Sequence, residues 1–269
     1  MFLLKWVLPL ICISMLTGCD FSSVRMEFNR AERAYKEKDY TTARKYYIRV
    51  LKRNPESEIA LLAAEKAAVV MVEELGMYSE ALDLYRFLII KSQDPEKVKT
   101  YQLKLAMVMF ENIQDFSGAI EEFNKLIRLE TDNSKRTEYK TFVAKSFFNL
   151  NKFYQAQVEV EEILKGDLKE DERFQILLFK GNILLTVKDH KNAIDVYTEL
   201  IEEFPERSVK ENVQINLAVC FEELKDFDRA ISILEELRGS FPDTTFIESK
   251  VSRLRERKKN LPGARGRVR

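Results

Sequence analysis

The chain has 269 residues, of which 45% are hydrophobic, with 44 basic and 44 acidic side chains. This length and hydrophobic content allow a substantial buried core. The charges are unevenly placed: residues 20–250 hold 35 basic and 43 acidic residues, a net of −8, whereas residues 251–269 hold eight basic and one acidic, a net of +7. The acidic body argues against a protein that binds nucleic acid through a basic surface, so we expect no nucleic-acid partner.

Glycine and proline are scarce, with 8 and 6 residues respectively. A large sheet protein with many tight turns would need more of both. Their scarcity, in a chain that is 33% charged, favours many helices joined by short connections.

The first 18 residues have the composition of a secretory signal peptide. Lys5 provides a short positive region, and an almost unbroken apolar run extends from Trp6 to Leu16. The run is about half as long as a bilayer-spanning helix needs to be, so a transmembrane segment is disfavoured. We therefore predict a signal peptide at residues 1–18.

The run ends in Leu16-Thr17-Gly18-Cys19, which resembles the lipobox of bacterial lipoproteins. In that family the cysteine receives a diacylglycerol thioether, the signal is removed before it, and the new amino terminus is acylated. The resemblance implies a lipidated Cys19 with a short tether at residues 19–26. Several acyl chains, at about 0.8 kcal/mol per buried methylene, form a stable membrane anchor.

The implied location is the bacterial cell envelope, on the periplasmic face of the inner or the outer membrane. Asp20 directly after the cysteine resembles the inner-membrane retention signal of enteric bacteria. Of the other cysteines, Cys12 lies in the predicted signal peptide and Cys220 lies in a helical apolar stripe. The mature chain therefore has no internal disulfide, and we expect Cys220 to be a packed core thiol.

An internal repeat with a period of 37–38 residues runs through the chain. Six ten-residue segments share one pattern, and each carries alanine at its sixth position, with spacings of 38, 38, 37, 37 and 37 residues. The segments begin at Lys38, Gly76, Gln114, Asn151, Lys188 and Lys225. The alanines are Ala43, Ala81, Ala119, Ala156, Ala193 and Ala230. This regularity predicts a stack of similar helical units.

Each repeat contains two amphipathic segments. A second small residue stands twelve positions before the alanine in four copies, at Ala31, Ala144, Gly181 and Ala218, but not in copies two and three. A bulky residue stands four positions after the alanine, at Tyr47, Tyr85, Phe123, Val160, Tyr197 and Leu234. Steps of three and four residues place such positions on one helix face, where small residues allow two helices to approach closely.

This pattern resembles the tetratricopeptide repeat over about residues 26–242, with Pro55, Pro205 and Pro242 closing three units. The usual early tryptophan is absent, and His190 stands where other copies have an aromatic residue. The long period resembles the envelope subgroup that includes the outer-membrane barrel-assembly lipoproteins and the periplasmic coordinators of cell constriction. The resemblance implies an all-α, right-handed superhelical solenoid of about six helix pairs.

The predicted organisation follows from the repeats. Residues 27–246 form the repeat array, residues 247–261 a capping helix, and residues 262–269 a basic disordered tail. For the basic residues after Val251 three interpretations remain open: a solvated, frayed terminus, attraction to anionic lipid, or docking on an acidic partner.

The sequence offers little chemistry for catalysis. A single histidine, His190, disfavours metal sites and nucleophile triads, and we expect it to pack in the fold. No glycine-rich phosphate-binding motif occurs. Pairs of glutamates such as Glu202-Glu203 are better interpreted as solvated helix faces than as acid–base pairs. We therefore predict no enzyme activity, no cofactor and no metal.

In families that this array resembles, the first helix of each pair lines a concave groove. Projecting that register onto this sequence gives nine candidate partner-binding residues: Tyr35, Lys66, Lys104, Lys145, Phe148, Asn149, Asn182, Leu185 and Glu222. Their mixture of apolar and polar groups suits an extended peptide or a partner helix.

The leading interpretation is a membrane-anchored protein–protein interaction scaffold in envelope or outer-membrane assembly. Its partners would be proteins of the envelope and, through the N-terminal lipid, the membrane. A pilotin-like lipoprotein that serves a secretin or pilus machine is an alternative. An alternative from another class is a non-catalytic subunit that acts on the cell wall. An enzyme that acts on the cell wall is a weaker alternative.

Replacing Cys19 by Ser tests the anchor. The serine hydroxyl cannot take the thioether-linked lipid, so we expect the variant to leave the detergent phase and to lose metabolic labelling with fatty acid. Undiminished labelling of the Ser variant would contradict the lipobox assignment.

Overall fold

The structure is a computed structural model that describes residues 23–239 and 241–260. The predicted signal peptide, Cys19 and the predicted basic tail at 262–269 lie outside the described residues. Within the described residues there are fourteen α-helices and no strand, which confirms the predicted all-α fold. None of these helices is both long enough and apolar enough to cross a bilayer.

The chain divides into two compact units, Met1–Thr131 and Asp132–Arg269. The first unit contains three helix pairs. They are α1 (residues 23–36) with α2 (Tyr40–Arg53), α3 (Glu58–Glu73) with α4 (Tyr78–Lys91), and α5 (Pro95–Met107) with α6 (Phe116–Leu129). A π-helical turn, Val108–Ile113, continues α5. Consecutive pairs are stacked, because α2 packs on α3 and α4 packs on α5.

The second unit also contains three helix pairs, with two additional helices. The pairs are α7 (Asn133–Asn149) with α8 (Phe153–Leu164), α9 (Glu170–Thr186) with α10 (His190–Glu203), and α12 (Val213–Glu223) with α13 (Phe227–Leu237). The short α11 (Pro205–Lys210) connects α10 to α12, and α14 (Thr244–Lys259) packs on α13.

The start of α1 overlaps the predicted tether. Residues 23–26, which the sequence assigns to the tether at 19–26, are already helical. The Arg53 guanidinium on α2 donates to the Ser23 hydroxyl at 2.6 Å and to the Glu27 carboxylate at 3.1 Å. These contacts with α2 support the first turn of α1, a long-range effect that local sequence does not reveal.

The repeated alanines are completely buried in the helix pairs. All six have no exposed surface, and the bulky residues four positions later are at most 2% exposed. At Gly181 the approach is close, since a Cβ atom there would lie 2.4 Å from Cε1 of Tyr197. The predicted register of small and bulky residues is therefore confirmed.

Copies two and three have the small residue too, one position earlier than expected. Ala68 and Ala106 stand thirteen residues before the repeated alanines and have no exposed surface. The extra residue is accommodated where the first helix ends: the N–H of Met77 bonds to the Met71 carbonyl and that of Asp115 to the Met109 carbonyl, six residues back. In copy three the widened turn is the π-helix. These two copies therefore also have a buried small residue on the first helix, displaced by one position.

The two helices of every pair are joined at a residue in the left-handed conformation. Its φ lies between 58° and 64° in all six copies, and it always stands five positions before the repeated alanine. These residues are Lys38, Gly76, Gln114, Asn151, Lys188 and Lys225. A left-handed residue ends a helix by allowing the next N–H to bond back to an earlier carbonyl, as Asp39 does to Ala34 at 2.9 Å.

An aspartate follows the left-handed residue in four copies and starts the second helix. Asp39, Asp115, Asp189 and Asp226 each accept a hydrogen bond from the backbone N–H three residues later. Such N-caps satisfy a donor that the helix itself leaves unpaired. Hydrogen bonds from Arg229, first from its backbone N–H and then from its side chain, lower the pKa of Asp226.

Replacing Gly181 by Ala tests the close contact. In an exposed helix this change would stabilise by about 1 kcal/mol. Here the new Cβ would collide with the buried Tyr197 ring, so we expect a loss of roughly 1–3 kcal/mol in the free energy of unfolding, measured as a lower urea midpoint. Gly239→Ala is the matched control, because no atom lies within 4 Å of a Cβ at Gly239. A Gly181→Ala midpoint equal to or above that of the wild type would contradict the assigned contact.

Candidate partner-binding surface

The candidate residues of the first unit come together only in part. Tyr35 on α1 is 37% exposed, and its ring packs edge-to-face on Tyr40 with centroids 5.7 Å apart. Lys66 on α3 lies beside it, and both line a recess of about 250 Å³. The recess is lined by Tyr35, Tyr47, Glu65, Lys66, Val69 and Val70. Lys104, on α5, is partly exposed and does not line the recess.

Lys66 is already paired within the fold. Its ammonium lies 3.1 Å from the Glu32 carboxylate, which also accepts a 2.5 Å hydrogen bond from the Tyr47 hydroxyl. Burial opposes ionisation of Glu32, but the hydrogen bonds from Tyr47 and Lys66 outweigh it and lower the pKa of Glu32. This recess is therefore walled by a satisfied polar network, and its apolar lining is provided by Tyr35, Val69 and Val70.

In the second unit, Lys145 lies at a wider recess between α7 and α9. This recess has a volume of about 370 Å³. It is lined by Ser134, Thr137, Glu138, Thr141, Phe142, Lys145, Asp171, Glu172, Gln175 and Ile176. Lys145 is exposed, with its ammonium 5.7 Å from the centre of the Phe142 ring. We call this cavity the α7–α9 recess.

Phe148 and Leu185 hold neighbouring helices together. The Phe148 ring packs edge-to-face on Phe153 at 5.4 Å and on Phe179 at 5.6 Å, which ties α7 to α8 and α9. Leu185 is partly buried against the core of the last pairs. Asn149 is exposed near the end of α7 and does not line the recess.

Asn182 is the polar partner of a buried tyrosine. Its Oδ1 accepts 2.9 Å and 3.4 Å hydrogen bonds from the Tyr197 hydroxyl and from Nδ2 of Asn216. Tyr47 and Glu32 make the same contact in the first repeat, also fifteen residues apart. Burial raises the pKa of Tyr197 above its ordinary value, so the hydroxyl remains a donor. Asn182 therefore serves the packing of its own pair.

Glu222 is covered by α14. The residue is only 7% exposed, and its carboxylate accepts hydrogen bonds from Arg253, at 3.1 Å, and from Arg257. Two more cations of α14 are paired, Arg255 with Glu235 and Lys258 with Asp228. Half of the eight basic residues counted after Val251 are thus bound to the acidic body.

Most of the predicted capping segment lies in α14, which begins earlier than expected. The helix spans Thr244–Lys259, whereas the sequence places the cap at 247–261, and residue 261 lies outside the described residues. Asp243 accepts a hydrogen bond from the N–H of Phe246 and so starts the helix. Ile247, Val251 and Leu254 are at most 6% exposed, so they form a buried apolar stripe along α14.

Of the residues that line the α7–α9 recess the sequence predicted only Lys145, because most of the lining lies in the first half of each helix. The projected positions lie in the second half, where Phe148, Asn182 and Glu222 are used for packing. A usable signal was the run of hydroxyls at Ser134, Thr137 and Thr141, since steps of three and four residues lie on one helix face.

The remaining reactive side chains are buried in the fold. Cys220 has no exposed surface and belongs to the core, as predicted, and burial raises the pKa of its thiol to about 11. His190 is the first residue of α10 and is partly buried, and its buried Nδ1 has no hydrogen-bond partner among the described residues. Among the described residues, no group of three or more His, Cys, Asp and Glu side chains is placed to hold a metal ion.

Comparison with known families identifies the repeats. Two family models, each described as tetratricopeptide repeat, match residues 28–57 and 184–254. The first segment covers α1 from residue 28 and all of α2, and the second runs from the end of α9 into α14. These two segments therefore match tetratricopeptide repeats. No curated protein matches the sequence.

Solved structures show the same fold. A tetratricopeptide repeat protein from Parabacteroides merdae is 14% identical, with a TM-score of 0.57 and 88% of both chains covered. The apo form of RapI is 14% identical, with a TM-score of 0.60 over 88% of this chain and 72% of its own. YrrB is 13% identical, with a TM-score of 0.52 over 77% of this chain and 97% of its own. It is described as a TPR protein with an unusual peptide-binding site. At these identities the likeness shows the fold alone.

Replacing Glu222 by Gln tests the attachment of α14. The change keeps the shape of the side chain but removes the charge that pairs with Arg253 and Arg257, so we expect faster amide hydrogen exchange across α14. The neighbouring Glu223 is exposed and supplies the matched control, Glu223→Gln. Exchange in α14 that is the same in both variants would show that Glu222 does not hold the helix.

Proposed function

We propose that this chain is a membrane-anchored scaffold of the bacterial cell envelope that binds a protein partner on the first helices of its repeats. We assign it to envelope or outer-membrane assembly rather than to catalysis. The observation that carries the proposal is the α7–α9 recess, a cavity with an apolar floor and a rim on which Glu138, Gln175 and Lys145 form no side-chain hydrogen bond or ion pair within the described residues.

The floor and rim of this recess suit a peptide. Phe142 and Ile176 provide the apolar floor. Around it, Glu138 and Gln175 are exposed and make no side-chain hydrogen bond within the described chain, and Lys145 pairs with no acid there. An extended segment or a helix could place an apolar side chain on the floor while its polar groups bind the rim.

The fold also supports a peptide-binding function. Tetratricopeptide repeats stack so that each pair presents its first helix beside the next, which produces extended binding surfaces. YrrB, which has this fold, is described as having a peptide-binding site. We infer a peptide-binding role for the present chain from its own recess, with that protein as a precedent for the fold.

The proposed anchor places the repeats at the membrane. Cys19 precedes Ser23, the first described helical residue, by four positions. A fully extended chain of this length reaches at most about 14 Å. If Cys19 carries lipid, α1 lies next to the bilayer, and partners in or on the same membrane come within reach.

The double variant Glu138→Arg with Gln175→Arg tests the recess. It puts a bulky cation on each wall, so we expect loss of the main partner crosslinked to the wild-type protein in membranes. Both side chains are exposed, and the variant should keep the helix content and melting temperature of the wild type.

A matched control exists on the second helix of the same repeat. Gln155 and Glu161 on α8 are also exposed, and Gln155→Arg with Glu161→Arg makes the same chemical changes away from the recess. We expect this control to retain the partner. Capture that persists in the recess variant, or that is lost equally in both variants, would overturn the assignment of the recess.

A further inference from the structure

The first helix pair differs in charge from the rest of the chain. Residues 23–54 hold ten basic and four acidic residues, a net of +6, whereas residues 55–260 hold 30 basic and 39 acidic, a net of −9. Helix α2 contains five basic residues and no acidic residue. The basic character is therefore concentrated at the amino-terminal end of the repeats.

Three of the four acids in this pair are occupied within the fold. Glu27 is 9% exposed and pairs with Arg53. Glu32 binds Tyr47 and Lys66, and Asp39 caps α2 through the N–H of Thr42. Glu37 alone is exposed without a side-chain partner among the described residues.

The cations, in contrast, are mostly free. Eight of the ten are exposed and form no ion pair within the described residues, although Arg49 lies over the ring of Tyr46 at 5.4 Å. The eight are Arg25, Arg30, Arg33, Lys36, Lys38, Lys45, Arg49 and Lys52. Helix α14 is also rich in basic residues, but four of its cations are bound to acids of the second unit. The first pair is thus distinguished by cations without internal partners.

Helical periodicity places these cations on the outside of each helix. In α2, Lys45, Arg49 and Lys52 follow steps of four and three residues, on the side opposite the buried Ala43 and Tyr47. In α1 most of the basic residues lie on the side opposite Val24 and Ala31, so they point away from α2. We call the exposed cations of α2, which are Lys45, Arg49 and Lys52, the basic face.

The basic face has a clear choice of partner. Its charge fits an anionic surface, and α2 packs on α1, which begins four residues after the proposed lipidation site. Anionic lipid headgroups attract basic segments that lie near the membrane surface, and a lipid chain combined with a basic patch gives firmer attachment than the chain alone. A second copy of the chain also offers acids, since α8, α10 and α13 carry ten acidic and two basic residues. The proximity to the anchor favours lipid.

We propose that the basic face binds the anionic headgroups of the membrane that holds the lipid anchor, and so brings α2 against the bilayer. This inference rests on the anchoring in the proposed function. Binding through headgroups is electrostatic and therefore weakens as salt screens the charges.

The test uses the chain from residue 20 onward, which retains every described helix but lacks the proposed lipidated cysteine. We expect it to float with vesicles that contain phosphatidylglycerol, not with pure phosphatidylcholine vesicles, and to be released by salt. Lys45→Gln with Arg49→Gln and Lys52→Gln should lower the partition coefficient by about two orders of magnitude. These residues are exposed, so unchanged helix content and melting temperature should accompany the loss.

A control with the same change in charge lies in the second unit. Lys135, Arg136 and Lys152 are exposed and make no ion pair in the described part of the chain. Their triple replacement by Gln should leave vesicle binding nearly unchanged. Equal losses of vesicle binding in the two triple variants would show that only net charge matters and would overturn the basic face. A wild-type chain that does not bind vesicles containing phosphatidylglycerol would also overturn it.

Two further outcomes distinguish lipid binding by the basic face from lipidation of Cys19 and from self-association. Lipid labelling of the full chain at Cys19, together with absent vesicle binding by the chain from residue 20, would overturn the basic face while leaving the anchor. Vesicle binding by the chain from residue 20, without lipid labelling of the full chain, would overturn the anchor and leave the basic face. A concentration-dependent dimer that is abolished by the α2 variant, without vesicle binding, would overturn lipid as the partner in favour of a second copy.

Discussion

The structure depends on the close contact between the two helices of each pair at small, completely buried residues. Ala43 and its five counterparts have no exposed surface, and at Gly181 there is no room even for a methyl group beside Tyr197. Such contacts fix the distance between the helices and leave the bulky residue four positions on to fill the space beside them. A single pair cannot bury both of its apolar faces, so the stacking of pairs within each unit completes the core.

This constraint explains how the repeats tolerate variation. The second and third copies have one additional residue between the two small positions, and both keep the buried contact. The wider turns at Met77 and Asp115 absorb the residue, and the left-handed linker retains its place before the second helix. Packing at the alanine is thus preserved while the backbone at the end of the first helix changes.

Polar side chains on the first helices divide into those that the fold uses and those that it leaves free. Glu32 and Asn182 bind buried tyrosines, and Glu222 holds α14. Buried polar groups need such partners, because an unsatisfied one costs free energy. The rim of the α7–α9 recess remains available to a protein partner, and the basic face remains available to an anionic surface.

The sequence by itself determined the fold class, the period, the small and bulky register and the burial of Cys220, because helical spacing shows directly which face of a helix is buried. It did not determine which polar residues of the first helices are available. Lys66 is paired with Glu32, and Glu222 with Arg253, thirty-one or more residues apart along the chain. Only the tertiary structure brings such partners together, since a periodic pattern describes each helix alone and the neighbour that occupies a side chain belongs to the next repeat.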